Sequence, residues 1–205
     1  MPHVTDDGSV RLSICIATRN RCDFLGATLG NLIAQIRDGV EVNIVDGAST
    51  DGTDQIVAEY QTKARNIRYF REPSNSGIDA GFDAAVEMAR GEYCWLMSDD
   101  DFLTDGAVDA VLAEIDSGHS VIIVNAEVRD RNLSELVGAR ILRHRANRIY
   151  LPVEREAFFV DTANYLSFIG CVIIRKDLLC SRDSLKVSLR WGASEKARQI
   201  RLMLD

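Results

Sequence analysis

Three consecutive carboxylates, Asp99-Asp100-Asp101, follow the apolar run Tyr93-Cys94-Trp95-Leu96-Met97 and a single Ser98. Like charges crowded at the end of an apolar segment repel one another, so the triplet is disfavoured unless a cation neutralises it. If the segment stays extended, alternate side chains point the same way, which sets Asp99 and Asp101 toward one ligand and turns Asp100 away. Such a pair suits Mg²⁺ or Mn²⁺, which take one or two carboxylates and complete their shell with phosphate oxygens. The structural alternative is a capping run for a helix starting near Asp105 or Gly106. Asp46 is a second candidate: it comes immediately after the strand expected over Val40–Val45 and opens the small-residue loop Gly47-Ala48-Ser49-Thr50-Asp51-Gly52-Thr53. There a carboxylate can accept the N–H of a nucleobase, or close an Asx turn, with Ser49 or Asp51 capping the next helix.

Both clusters need elements to deliver them. Arg11–Thr18 reads as a buried strand leading into Arg19-Asn20-Arg21, and Phe24, Leu25, Leu29, Leu32, Ile33 and Ile36 recur at helical spacing over Cys22–Arg37. Strands follow at Val40–Val45, Ile67–Phe70, Glu92–Met97 and Val121–Ala126, with helices after Thr53, over Ile78–Ala89 and over Ala107–Ile115. Alternation of this kind predicts βαβ units and an α/β fold with a mostly parallel sheet flanked by helices. Ligands of such sheets bind outside the carboxyl ends of the strands, where the loops after Thr18, Val45 and Met97 all fall. Further on, Ile169–Ile174 reads as a last strand and Lys176–Asp205 as one or two short helices.

Charge divides the chain. Its net charge is −7, but residues 1–126 carry 9 basic and 21 acidic side chains, and residues 127–205 carry 15 and 10. An acidic part without a basic stripe makes no nucleic-acid binder, yet it can reach a phosphate-bearing small molecule through a divalent cation. Arg71 and Arg90 read as solvated. The arginines between Arg129 and Arg148 form a solvated face or, functionally, a peripheral contact with an anionic membrane. His3, His119 and His144 are isolated, which supports neither a metal cluster nor a nucleophilic triad. Five scattered cysteines, Met1–Arg11 without a basic-then-apolar leader, and no apolar run near the roughly 18–20 residues of a membrane span predict a cytoplasmic protein, placed by the arginines at the inner face of the membrane.

Taken in order, Leu12-Ser13-Ile14-Cys15-Ile16-Ala17-Thr18-Arg19-Asn20-Arg21, Val45–Thr53, Asn75-Ser76-Gly77 with Asp79, and Ala89-Arg90-Gly91-Glu92-Tyr93 leading into Asp99-Asp100-Asp101 resemble a family 2 glycosyltransferase of the GT-A fold, most of all bacterial surface-polysaccharide enzymes of the abequosyltransferase-like kind. The resemblance implies a nucleotide-sugar-binding core over residues 1–126 and an acceptor-side segment of the same domain over 127–205. It implies that Thr18, Arg19 and Asn20 border the nucleotide, that Asp46 reads the base, and that Asp79, Asp99 and Asp100 attend the nucleotide-sugar. Asp99 and Asp101 then match the metal-binding Asp-x-Asp pair, with Mg²⁺ or Mn²⁺ as cofactor. Many members have a second Asp after the first, where this chain has Gly47.

The activity so implied is metal-dependent, inverting transfer of a sugar from a nucleotide-diphospho-sugar to a glycan or lipid-linked acceptor, in bacterial surface polysaccharide synthesis. Members place the catalytic base well beyond the Asp-x-Asp pair, in a segment longer than this chain offers. The resemblance therefore implies a C-terminally shortened member, with Asp183 and Glu195 as the remaining candidates for the base. The rival reading is a donor-binding protein that has lost its base and does not turn over. A haloacid-dehalogenase-type phosphotransferase is disfavoured, because its Asp-x-Asp sits on the first strand with Thr or Val two residues after the second Asp, and here that position is Leu103. No Gly-x-Gly-x-x-Gly follows the first strand, which disfavours a dinucleotide-binding dehydrogenase.

Overall fold

The computed structural model describes residues 9–130, 133–138, 147–163, 168–180 and 199–203. Its elements run β1 (Leu12–Thr18), α1 (Cys22–Ile33), β2 (Val40–Asp46), α2 (Thr53–Lys63), β3 (Ile67–Arg71), α3 (Ile78–Met88), β4 (Tyr93–Met97), β5 (Phe102–Leu103) and α4 (Ala107–Asp116). They continue through β6 (Val121–Ile123), β7 (Asn125–Arg129), β8 (Leu136–Gly138), α5 (Arg155–Thr162), β9 (Val172–Arg175), α6 (Lys176–Cys180) and β10 (Gln199–Met203).

Every residue of β1 and β2 is buried, as it must be when helices cover both faces of a sheet. The six-stranded sheet has the order β3-β2-β1-β4-β9-β6, with β3, β2, β1 and β4 parallel and β9 antiparallel to both neighbours. This is the mostly parallel, helix-flanked α/β architecture that the alternating pattern predicts. Helix α1 buries Leu25, Thr28, Leu29 and Leu32, a stripe at i, i+3, i+4 and i+7. Helix α3 comes close enough to β1 that a Cβ on Gly81 would stand 3.1 Å from the Ala17 methyl.

At the amino-terminal edge of the sheet a buried polar network replaces apolar packing. The fully buried Glu41 accepts from Ser13 Oγ at 2.8 Å and from Arg90 N, Nε and Nη2 at 2.7, 2.8 and 2.7 Å. Burial acts to raise its carboxyl, but these donors hold it below its ordinary value. Arg90, with its side chain 59% exposed, is thus a solvated arginine that also serves as the ion-pair partner of Glu41. Gly91 beside it has no room for a side chain: a Cβ would stand 2.7 Å from Ser13 N and 2.9 Å from Leu12 C.

Several expected elements are corrected. Helix α1 stops at Ile33, before the expected Arg37: Gln35 N and Ile36 N both donate to Leu32 O as the last turn tightens, and Gly39 takes φ 78° in the turn that leads into β2. The expected strand Val121–Ala126 is two: Val124 donates sideways to Cys171 O at 2.9 Å, β6 stays in the main sheet, and β7 joins a second sheet of order β5-β10-β7-β8. The expected strand at Ile169 opens as a 3₁₀ turn over Ile169–Cys171 before β9. Gln199–Met203, expected within a helical tail, is a strand pairing antiparallel with β7, in keeping with its alternating apolar and polar residues.

Candidate active site

Parallel pairing brings the first two loops out side by side, since Thr18 is the register partner of Asp46. The loops are then stitched together. Gly47 N donates to Thr18 O at 2.9 Å, Thr50 N to Asn20 Oδ1 at 2.7 Å, and Asn20 N to Ser49 Oγ at 2.9 Å. Asn20 takes φ 53°, a left-handed conformation that Asn tolerates better than most residues. Asp51 joins two helices: Oδ2 accepts from Cys22 N at 3.0 Å, in the first turn of α1, and Oδ1 accepts from Thr53 N at 3.2 Å and Thr53 Oγ1 at 2.6 Å, at the start of α2. Desolvation works to raise its pKa, yet these donors bring it down to about 2.

Asp46 is fully buried and its carboxylate is internally occupied. Oδ1 accepts from Ser49 N at 2.8 Å and Ser49 Oγ at 2.5 Å, three residues on, which holds the loop folded back on the strand end in place of the two-residue Asx turn. Oδ2 accepts from the Tyr69 hydroxyl at 2.6 Å, and Arg71 Nε stands 4.0 Å away. Arg71 also donates to Ser49 O at 2.6 Å, so it braces this loop and is not merely solvated. Burial first, and then the Asp46 carboxylate, push the Tyr69 phenol well above its ordinary pKa.

The triplet after β4 sits in a turn, with Asp101 N donating to Ser98 O at 3.4 Å, and is not extended. Strand alternation therefore does not apply, and the expectation that Asp100 points away from its neighbours is corrected. Asp99 and Asp100 share one guanidinium: Arg21 Nε donates to Asp99 Oδ1 at 2.7 Å and Arg21 Nη2 to Asp100 Oδ2. Asp99 Oδ2 accepts from Thr18 Oγ1 at 2.7 Å and Asp100 Oδ1 from Ser98 Oγ at 2.6 Å. From beneath, the Thr28 hydroxyl faces Asp99 O at 2.9 Å and Asp101 O at 3.2 Å, tying the turn to α1. Asn31 pairs with the backbone of Leu103 through both ends of its amide, at 2.8 and 3.0 Å. None of the three carboxylates caps α4, whose N-cap is Gly106 at φ 80° with no side-chain bond.

Asp101 differs from its neighbours. Its side chain is 1% exposed; Oδ2 accepts from Ser98 N at 3.1 Å, and Oδ1 has no partner. Burial, reinforced by Asp100 and Asp99, raises its pKa well above the usual carboxylate range. Burial also raises Asp99, against the lowering effect of Arg21 and the Thr18 hydroxyl. Among the described residues no three His, Cys, Asp or Glu side chains converge into a ready-made metal cage. A cation whose shell is completed by phosphate oxygens needs no such cage, and the orphaned Asp101 Oδ1 fits that requirement. Beside Thr18 opens a cleft of about 210 Å³, whose lining includes Arg19, Gly47, Glu72, Asn75 and Gly77.

A family model described as Glycosyl transferase family 2 matches residues 13–180. The chain belongs to this family. The abequosyltransferase RfbV of Salmonella typhimurium is 30% identical over 176 residues, 81% of this chain and 53% of that protein. Among solved structures, S. aureus TarS 1-349 in complex with UDP-GlcNAc superposes with a TM-score of 0.67 at 24% identity, over 85% of this chain and 48% of that one. The mannosyltransferase PcManGT of Pyrobaculum calidifontis, in complex with GDP-Man and Mn²⁺, does so at 0.59 and 19%, over 85% and 47%. These likenesses show the GT-A fold. The chain covers about half of each of these three chains.

The remaining expected residues of this family 2 chain fall as follows. Asp79 is exposed in the first turn of α3, one residue beyond the cleft-lining Ile78. A Cβ at Gly47 would stand 3.0 Å from Asn75 Oδ1, so the position where many members carry a second Asp here lies against the Asn75 amide. Asp183 and Glu195 lie outside the described residues, as do Arg131, Arg140, Arg143 and Arg145. Arg129 is paired with Glu127, and Arg148 with Asp161 at 2.8 Å. No helix among the described residues is long and apolar enough to cross a membrane. Sequence reasoning missed Arg21, Thr28 and Tyr69 as site residues. A threonine on the otherwise apolar stripe of α1 was the available signal for Thr28, and nothing in the sequence pairs Tyr69 with Asp46.

Proposed function

We propose that the chain is the donor-binding part of a metal-dependent, inverting glycosyltransferase, binding a nucleotide-diphospho-sugar with Mg²⁺ or Mn²⁺ at the carboxyl edge of β1, β2 and β4. The observation that carries this reading is the buried, partnerless Asp101 Oδ1 in the turn that Thr18 and Arg21 fasten beside the cleft. The nucleotide would lie in the cleft along Thr18, Arg19 and Asn20, with Asp79 toward the sugar. Asp46, bonded to Ser49 and Tyr69, organises the loop whose Gly47 lines that cleft, so its part in base selection would be exerted through that loop. Asp101, with Asp99, would hold the cation. When bound, the cation neutralises charge developing on the diphosphate leaving group.

In the whole protein, a carboxylate would deprotonate the acceptor hydroxyl for attack on the face opposite the leaving group, and Asp183 and Glu195 remain the candidates. The acceptor is a glycan or lipid-linked glycan of a bacterial surface polysaccharide, met by the basic residues 127–205, with the Arg129–Arg148 stretch making the peripheral membrane contact at the inner face. Support comes from family membership, from the abequosyltransferase relative, and from solved neighbours whose bound groups are UDP-GlcNAc in one and GDP-Man with Mn²⁺ in the other.

The test is a thermal-shift panel of UDP-, GDP-, ADP- and CDP-sugars with and without Mn²⁺. A donor at 100 times its Kd stabilises the fold by about 2.7 kcal/mol, roughly 5–10 °C in Tm for a chain of this size. A metal-dependent shift with one class of nucleotide-sugar is expected. No metal-dependent shift with any of them refutes the donor site, and tight binding without hydrolysis or transfer selects the base-less donor-binding protein instead.

A further inference from the structure

Arg21 stands in the candidate site as an internal cation. Its side chain is 35% exposed, whereas the Asp99 and Asp100 side chains it pairs with are 6% and 13% exposed. Its guanidinium lies 4.4 Å from the centroid of the Phe24 ring, which fixes the plane of the fork against α1. Thr18 and Ser98 fill the oxygens of Asp99 and Asp100 that Arg21 leaves, so all four are engaged. Of the triplet's six carboxylate oxygens, the buried Asp101 Oδ1 is the one without a hydrogen-bond partner. One carboxylate oxygen beside a fixed positive charge makes a weak site for a bare cation. A diphosphate changes the balance, because its oxygens supply ligands to the cation and acceptors to the remaining guanidinium N–H groups.

Resting on the donor-site reading above, we propose that Arg21 is a positioning residue that makes cation binding conditional on the diphosphate. It clamps Asp99 and Asp100 while the donor is absent and so keeps the metal from binding alone. The coupling is reciprocal: what the diphosphate adds to cation affinity, the cation adds to diphosphate affinity.

The experiment is a titration of the full chain with Mn²⁺ alone, free Mn²⁺ being read by electron paramagnetic resonance, for wild type, Arg21→Gln, Arg21→Lys and the double variant Arg21→Gln/Asp101→Asn. Circular dichroism checks that each is folded. Arg21→Gln removes a unit charge a few ångströms from a divalent ion and should tighten Mn²⁺ binding about tenfold. Arg21→Lys keeps the charge without the fork and should tighten it a few-fold, which is the deciding measurement if the glutamine variant does not fold. The double variant should lose the tightened site. Equal or weaker Mn²⁺ affinity in the folded Arg21 variants overturns the proposal, as does a tightened site that survives Asp101→Asn. Failure of the donor-site reading is seen separately, in a wild type that shows no metal-dependent shift with any nucleotide-sugar.

Discussion

Replacing Asp101 with asparagine should stabilise the metal-free protein while removing its response to metal. The side chain is 1% exposed, one oxygen accepts a single N–H at 3.1 Å, and the other accepts nothing. A buried polar atom left without a partner costs about 1–3 kcal/mol, and more when it is charged. In Asp101→Asn the carbonyl keeps the Ser98 bond and the charge disappears, together with its repulsion from Asp99 and Asp100. The new amide N–H₂ group sits where Oδ1 was and returns part of the gain. The net effect is a gain of about 1–2 kcal/mol, or roughly 2–8 °C in Tm at this chain length.

The dependence on pH follows from the direction of the shift. Burial raises the folded-state pKa of Asp101 above its unfolded value. Its contribution to stability is then complete below the unfolded pKa and is lost as pH rises through the folded one. Asp99, raised for the same reason, is present in both proteins. The variant's advantage should therefore be small near pH 4 and grow toward pH 7. The assay is calorimetric or fluorescence melting in chelator from pH 4 to 8, repeated with Mn²⁺ and the donor that binds. A variant that melts at or below wild type at pH 7 in chelator refutes the reasoning, and so does a gap that does not widen with pH. Retention of the metal-dependent donor shift by the variant refutes the ligand assignment.

Gly91→Ala should cost about 2–3 kcal/mol, because its Cβ would press 2.7 Å from backbone and hydroxyl atoms of Ser13 in a strand that cannot move; denaturant unfolding reads this as a lower midpoint at an unchanged slope. Asp51→Ala should cost about 1 kcal/mol at neutral pH by releasing N–H groups at the starts of α1 and α2. With the folded pKa lowered to about 2, that stabilisation is present above the ordinary carboxylate pKa and is lost as pH falls through about 2. The two proteins should accordingly converge in acid melts, and a difference undiminished at pH 2 contradicts the assignment.

Much of the architecture was legible in the residues because it is local. Short runs rich in β-branched and apolar residues, such as Leu12–Thr18 and Val40–Asp46, read as buried strands, and the period of Leu25, Leu29 and Leu32 as a helix on that sheet. Strand-end carboxylates at Asp46 and Asp99–Asp101 follow from the same runs, since parallel strands must end on a common edge. The second sheet was not legible. β7 pairs with a strand seventy or more residues later, and β5 is two residues long, too short for any periodicity.

What the sequence determined by itself is therefore a family 2 glycosyl transferase fold and the edge at which its chemistry would gather. Only the tertiary structure decided what each carboxylate faces. Asp46, which has the spacing of a ligand contact, is filled by Ser49 and Tyr69; Asp100, expected to point away, shares Arg21 with Asp99; and Asp101 alone of the triplet keeps a buried oxygen with no hydrogen-bond partner. The reason is physical. Chain position sets where a side chain begins, but whether its charge is compensated depends on donors arriving from other strands and helices, here Thr18, Arg21 and Tyr69. Their meeting with these aspartates is a property of register and packing that no local pattern of residues encodes.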